Sequence, residues 1–385
     1  MEIFRQAYEW LLAQGGIFGL IVMLAALVTF FVQLWYYMRV YGRIPSLRDR
    51  RRENEGDPGG VSVIIPLRDT DYGFIEETLP LILGQNYEEM EVVLMDLADD
   101  SDFSFTLSML SENNHKIKIV KLTGAPMKKM SNKMLLNVGI KGARYENMVF
   151  TTSGCRPVSE RWITAMARGF LRGDVVIGYC GLDARMKNGR GWARVERVAW
   201  SARWLGAALR GRAYRGTICN MGFTKRAYFD NNGFNHLNMN IGEDDLFVQK
   251  MIRNSKVSVV SAGKASVRQT VWGGWYKDKK LASATFPFYP LRVRAYIGGE
   301  LWSRAFFFAS MVIVLIIMPF QFKIGAAALL VLRYILVAWE MSRVCRRLSE
   351  KGLGAIYFVY DLAAPIFEAW LAIARRIRKP EGLWR

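Results

Sequence analysis

VSVIIPLRD, residues Val61 to Asp69, opens the folded part of the chain. Val61 to Leu67 is short, β-branched and apolar on both faces, as a buried parallel strand requires. The amphipathic stretch FIEETLPLILGQ follows, and then EVVLMDL, Glu91 to Leu97, reads as a second strand ending in acids. KIKIVKL, Lys116 to Leu122, is a third strand, SNKMLLNVGIKGA, Ser131 to Ala143, has helical spacing, and MVFTTSG, Met148 to Gly154, is a fourth strand. Strands alternating with helices predict an α/β, Rossmann-like domain, with a mostly parallel sheet and helices on both faces. Ligands of such sheets bind beyond the carboxyl ends of the strands, which directs attention to the segments after Leu67, Met95 and Thr151.

Before this domain, Gly16 to Met38 carries no charge and is long enough to cross about 30 Å of hydrocarbon. Trp35, Tyr36 and Tyr37 read as an interfacial belt. The run is too long for a signal-peptide core and its basic residues follow it, so it is expected to be a retained anchor. Arg39, Arg43, Arg48, Arg50, Arg51 and Arg52 then place the following domain in the cytoplasm of a plasma or inner membrane. Pro58, Gly59 and Gly60 mark the domain start. Downstream, residues 188–215 interleave tryptophan and arginine, which suits either a helix in the membrane interface or a core helix with a solvated basic face. Phe306 to Phe320 and Ile324 to Met341 read as spans, the second with Arg333 inside it. Residues 352–374 are apolar but hold Asp361, Pro365 and Glu368, and are expected to form a re-entrant or interfacial hairpin. The expected organisation is an anchor over 1–40, a basic linker over 41–60, a cytoplasmic α/β domain over 61–303 and membrane or interfacial helices over 304–385.

The 385 residues carry a net charge of +19. With apolar ends, this charge favours an anionic membrane surface or an anionic substrate. No zinc finger, aromatic RNA-binding motif or basic heptad array is present, so nucleic acid is not the expected partner. Two histidines, His115 and His236, leave no material for a Ser-His-Asp hydrolase or a histidine-rich metal site. Cys155, Cys180, Cys219 and Cys345 have spacings that suit neither zinc nor a disulfide framework and read as reduced thiols, Cys155 as a small core residue.

In order, VSVIIPLRD, EVVLMDLADDSD, NKMLLNVGIKGA, MVFTTSGCRPVSERW, GTICNMGFTKRAYFDNNGF and IGEDDLFVQKM resemble the motif series of the membrane-associated family 2 glycosyltransferases of GT-A fold. The resemblance covers roughly residues 55–305. It implies transfer of a hexose-type sugar, with inversion, from a nucleotide-sugar donor to a membrane lipid, a lipid-linked glycan or another membrane-proximal acceptor. It also implies nucleotide contacts from Pro66, Asp69, Asp96, Asp99, Lys133, Thr152 and Gly154, with Lys128 and Lys129 as further phosphate candidates. The base would be Asp244, flanked by Glu243 and Asp245; the same acids would equally suit a helix start. Asn220, Trp272, Trp275, Lys277, Lys279 and Lys280 would form the acceptor and phosphate loop.

Three motifs depart from that pattern. Manganese or magnesium is usual for the family, held by an Asp-any-Asp pair, but those positions are Thr152 and Gly154, so no metal ligands are expected. The acid usual after the opening strand is displaced to Asp69, and in the second strand Asp96 lies beside the usual position, with Asp99 and Asp100 as substitutes. The late basic motif, RQTVWGGWYKDKK, lacks its usual arginine. These losses open an alternative, a catalytically inactive relative that supports an active glycosyltransferase or another subunit of a membrane glycan-synthesis machine.

Overall fold

The computed structural model describes residues 2–47, 56–121, 131–186, 191–234, 241–271 and 273–377. Most of the arginine-rich linker, Lys128, Lys129, His236 and Trp272 fall outside them. The strands are β1 (Val61–Leu67), β2 (Met90–Asp96), β3 (Ile117–Lys121), β4 (Asn147–Phe150), β5 (Cys155–Pro157), β6 (Val175–Gly178), β7 (Cys180–Leu182), β8 (Met221–Thr224), β9 (Val257–Val260) and β10 (Val267–Gln269). The helices begin with α1 (Glu2–Leu34), α2 (Arg43–Ser46), α3 (Leu79–Leu83), α4 (Ser101–Asn113), α5 (Asn132–Gly142) and α6 (Trp162–Phe170). They continue with α7 (Trp192–Leu209), α8 (Lys225–Asp230), α9 (Leu246–Met251), α10 (Trp275–Thr285), α11 (Leu291–Ile317), α12 (Phe320–Arg347) and α13 (Gly354–Ile377).

Seven strands form one sheet in the order β3-β2-β1-β4-β8-β6-β9. The β1, β2, β3 and β4 pairings are parallel, as expected, while β8 runs antiparallel between β4 and β6. β1 is buried at every position but Pro66, because helices cover both faces and its Val and Ile side chains pack on each. Gly139 lets α5 lie close on the sheet: a Cβ there would stand 2.8 Å from Ile64 Cγ2. The chain order reverses between β1 and β4, so the crevice of the sheet opens after Leu67 and Phe150. A second sheet, β5-β10-β7, lies beyond β4 in the chain.

Among the described residues, four helices are long and apolar enough to cross a membrane: Gly16–Ser46, Leu291–Ile317, Phe320–Arg347 and Gly354–Ala374. They give the chain the character of an integral membrane protein. The first, second and third pack through Val22, Ala26, Phe30, Phe307, Val314 and Phe322. Three sequence expectations need correction here. Residues 354–377 are one continuous helix and not a hairpin, since Asp361 and Glu368 find cationic partners inside the protein. Of the expected aromatic belt, Tyr36 and Tyr37 are buried; Tyr36 donates to the Tyr296 carbonyl (2.6 Å) and Tyr37 to Asp361 (2.9 Å). α7 is a core helix, with Val195, Val198 and Trp204 in the main core. Its arginines are neither solvated nor lipid-facing: Arg194 pairs with Glu350, Arg197 with Asp278 and Arg203 with Glu300.

Candidate functional site

At the crevice, Pro66 is half-buried in β1, and Arg68, just beyond it, donates from Nε (3.0 Å) and Nη2 (2.6 Å) to Asn132 Oδ1. Asn132 opens α5 and in turn donates to Glu243 (3.3 Å). The end of the first strand, the start of α5 and the acidic motif are thereby joined. The next residue, Lys133, is only 4% exposed. Burial depresses its ammonium pKa, against the opposing pull of Glu243 and Asp245.

The acids after β2 are placed differently from the expectation that they substitute for missing ligands. Asp96 is buried and accepts from the Ala98 amide and the Ser104 hydroxyl. Asp100 caps α4, accepting from the amides of Asp102 and Phe103 at 3.0 Å each. A carboxylate committed to a turn or a helix cap has fewer lone pairs left for a ligand. Asp69 and Asp99 are exposed.

The acidic run divides between two roles. Gly242 has φ +104°, a left-handed conformation that favours glycine and turns the chain into the run. Asp245, 1% exposed, is the N-cap of α9 and also accepts from the hydroxyls of Thr285 and Tyr289 (2.7 Å) and from Arg215 Nη1 (3.4 Å). It is the structural member. Asp244, with its side chain one-quarter exposed, faces a cavity of about 200 Å³ and accepts from Arg215 Nη2 at 2.8 Å. Burial, opposed by Arg215 and reinforced by Asp245 and Glu243, pushes the Asp244 carboxyl up to about 7. Burial likewise raises Glu243. Arg215 also stacks over the Trp200 ring, 4.4 Å from its centroid.

Arg215 and Trp200 form a shared wall. On one side is the polar cavity with Asp244; on the other is an apolar cavity of about 270 Å³ that reaches Phe286, Leu301, Trp302 and Pro365 on the membrane helices and their approach. Sequence reading missed Arg215 and Trp200. Their only sequence signal was the Trp/Arg-rich run over 188–215, whose internal pattern does not single them out.

The expected late loop is largely a helix. Lys277 and Lys280 are exposed, but Lys279 is buried and paired with Glu196 and Glu368, so it serves packing between α7, α10 and α13 and does not present a phosphate-binding ammonium. Trp275 meets the Phe367 ring edge-on at 5.5 Å. Asn220 is fully buried: it accepts from Trp162 Nε1 and donates to the carbonyls of Tyr179 and Ala265, which exhausts its side chain on the scaffold and contradicts an acceptor contact. Lys279→Ala is expected to lower unfolding free energy by roughly 3–5 kcal/mol, because buried Glu196 and half-buried Glu368 lose their cation. Lys277→Ala and Lys280→Ala should stay within about 0.5 kcal/mol. Denaturation in detergent measures all three, and a neutral Lys279→Ala would refute the pairing.

The residues at the usual metal position do not fit a hard divalent ion. Thr152 Oγ1 donates to Cys155 Sγ (3.1 Å), and a Cβ added at Gly154 would stand 3.1 Å from Val271 Cβ, so even the space for a carboxylate is restricted. What the structure brings together instead is Cys155, Cys180 and Cys219, with all Sγ atoms within 4.8 Å of one another. The cysteines are free thiols and Cys155 is a buried core residue, in line with the sequence reading; the convergence of three of them is what the sequence did not show. Spacing failed to show the cluster because each cysteine comes from a different loop or strand end. Hydrogen bonding from Cys180, then from Cys219, holds the Cys155 thiol well below its usual range.

No protein-family model and no curated protein sequence matches the chain. Among solved structures, it is similar to the mannosyltransferase PcManGT from Pyrobaculum calidifontis in complex with GDP-Man and Mn2+, at 15% identity and a TM-score of 0.52, over 89% of this chain and 98% of the other. S. aureus TarS 1-349 in complex with UDP-GlcNAc is 14% identical over 80% and 92% of the two chains; its TM-score of 0.41 adds nothing to the assignment. The likeness is one of fold: the chain has a GT-A-type α/β architecture with apolar helices attached.

Proposed function

We propose that the protein is a membrane-bound glycosyltransferase that moves a sugar from a nucleotide-sugar donor to a lipid-linked or membrane-proximal acceptor in glycan synthesis. One observation carries this reading. Asp244 and Arg215 stand where a polar cavity near the sheet's crevice meets an apolar cavity among the membrane helices. A soluble charged donor and a lipid-borne acceptor need such a junction. Asp244 is the base: it takes the proton of the acceptor hydroxyl as that oxygen attacks the anomeric carbon, and the nucleoside diphosphate departs from the opposite face with inversion. Glu243 keeps Asn132 and Arg68 in place, and Asp245 fixes Arg215 from behind. Lys133, near the strand ends, supplies positive charge toward the diphosphate, with Pro66 and Asp69 on the nucleoside side and Thr152 and Gly154 as a neutral floor. The exposed Lys277 and Lys280 assist at the rim, and Trp275 anchors that segment.

A second reading is favoured by the absence of carboxylates at Thr152 and Gly154: a non-catalytic subunit that supports an active membrane glycosyltransferase. The assay that separates the two is transfer of radiolabelled sugar into membrane lipid by the purified full chain. Label in the lipid extract supports the enzyme; no label from any common UDP- or GDP-sugar, beside an active control, rejects it.

Orientation follows from Arg39 and Arg43 at the end of the first span. A cysteine placed at exposed Ser46 should resist membrane-impermeant maleimide in intact cells and react after lysis. Labelling in intact cells would put the α/β domain outside.

A further inference from the structure

We infer that Cys155, Cys180 and Cys219 form a binding site for a thiophilic divalent cation of the zinc class, at the wall of the cavity that holds Asp244. The inference does not depend on sugar transfer.

Three of the chain's four cysteines converge from separate elements. Cys155 opens β5 after the Thr152–Gly154 turn, Cys180 opens β7, and Cys219 precedes β8. Their sulfurs lie within 4.8 Å of one another. Thiolates about 2.3 Å from a tetrahedral zinc ion sit about 3.8 Å apart, so small side-chain rotations close the set. Cys155 and Cys180 are at most 1% exposed and Cys219 is 9% exposed. Cys180 and Cys219 also line the cavity, which gives an ion a path in and leaves a fourth position for water or a substrate oxygen.

Charge supports the same site. Three thiols lose three protons on binding, and three thiolates with one divalent ion leave a single net negative charge. Arg197, which lines the same cavity as Cys180 and Cys219, offsets that charge. Its guanidinium is held from the far side by Asp278 (2.7 Å). Soft sulfur donors select zinc-class ions, whereas manganese and magnesium take oxygen. The thiolate set therefore adjoins the turn where oxygen ligands for a hard ion are missing. Three small thiols packed in a core would share the burial. They would not require placement on a cavity wall or a balancing cation.

The test uses the full chain, reduced, stripped of metal and held in detergent, with Co2+ as the probe. One equivalent should bind with a thiolate-to-cobalt charge-transfer band, and Zn2+ should displace it while Mg2+ and Mn2+ should not. Cys345→Ser should keep the band. Cys155→Ser, Cys180→Ser and Cys219→Ser should each weaken zinc binding by more than the roughly 10–100-fold that loss of an outer-shell partner costs. No band in the wild-type chain overturns the proposal without reference to any variant. So does a band that survives the triple serine replacement, or a disulfide among these cysteines in protein isolated without reductant.

Discussion

If Asp244 is the base of the proposed transfer, Asp244→Asn is expected to lower it by about 10²–10⁴-fold, the usual contribution of a positioned base, while the protein still accumulates in the membrane. Asn keeps an oxygen for Arg215 but cannot take the acceptor's proton. In the wild-type chain, the proposed transfer should rise with pH and level off above about 7, because only an ionised Asp244 carboxyl would be competent and burial has raised it to about 7. The variant's residual rate should lack that limb. Stability moves in the opposite sense. A carboxyl whose folded pKa lies above its unfolded value of 3.8 contributes stability that is complete below that value and is lost as pH rises through about 7. Unfolding curves from pH 4 to 8 should therefore show a decline in the wild type that Asp244→Asn flattens. An unchanged transfer rate in Asp244→Asn would remove the residue from the mechanism.

Asp361→Ala is expected to destabilise the fold by roughly 3–5 kcal/mol, since it takes away the buried carboxylate of Arg333 and leaves Arg304 with Glu300 alone. Asp361 in α13 receives Arg304 Nε at 3.2 Å, Arg333 Nη1 at 2.6 Å and the Tyr37 hydroxyl at 2.9 Å. Gln33 in α1 accepts from Arg333 Nε (2.7 Å) and donates to the Ser303 carbonyl (3.1 Å). Glu300 balances Arg304 (2.8 Å) and Arg203, the latter from α7. All of these except Arg203 and Ser303, which are 5% and 6% exposed, are at most 2% exposed, and together they tie the membrane helices to the α/β domain. Ionisable groups at membrane depth persist where partners of this kind exist. The double replacement Asp361→Leu with Arg333→Leu removes one charge of each sign and leaves Arg304 with Glu300. It should recover most of the loss. Unfolding by denaturant in detergent reads both, and an Asp361→Ala chain within about 1 kcal/mol of wild type would contradict the network.

The same network explains what the sequence did and did not disclose. β1, β2 and β4 were legible because a parallel strand covered on both faces must be apolar throughout, and that is a local property. The direction of β8 was not, since MGFT is equally compatible with either pairing. The arginines of α7 looked like a basic surface because their partners Asp278, Glu300 and Glu350 are far along the chain. Asp361 and Glu368 broke an apolar run for the same reason, and a continuous helix read as a hairpin. At the site, GEDDL announced carboxylates, but only packing separates Asp245 as a cap from Asp244 on the cavity. Lys279 and Asn220 were named from motif order alone, and both are consumed by the scaffold. The three-cysteine cluster had no local signature at all.

On the proposed function, this fold should hold a nucleotide sugar without a hard-metal cradle. Calorimetry of the purified chain with UDP- and GDP-sugars, run with and without Mn2+, addresses it directly. Weak but saturable binding of one donor class, nearly indifferent to the ion, is expected. Absence of binding by every donor would contradict the nucleotide site, and an affinity that rises by orders of magnitude with Mn2+ would contradict the reading of Thr152 and Gly154.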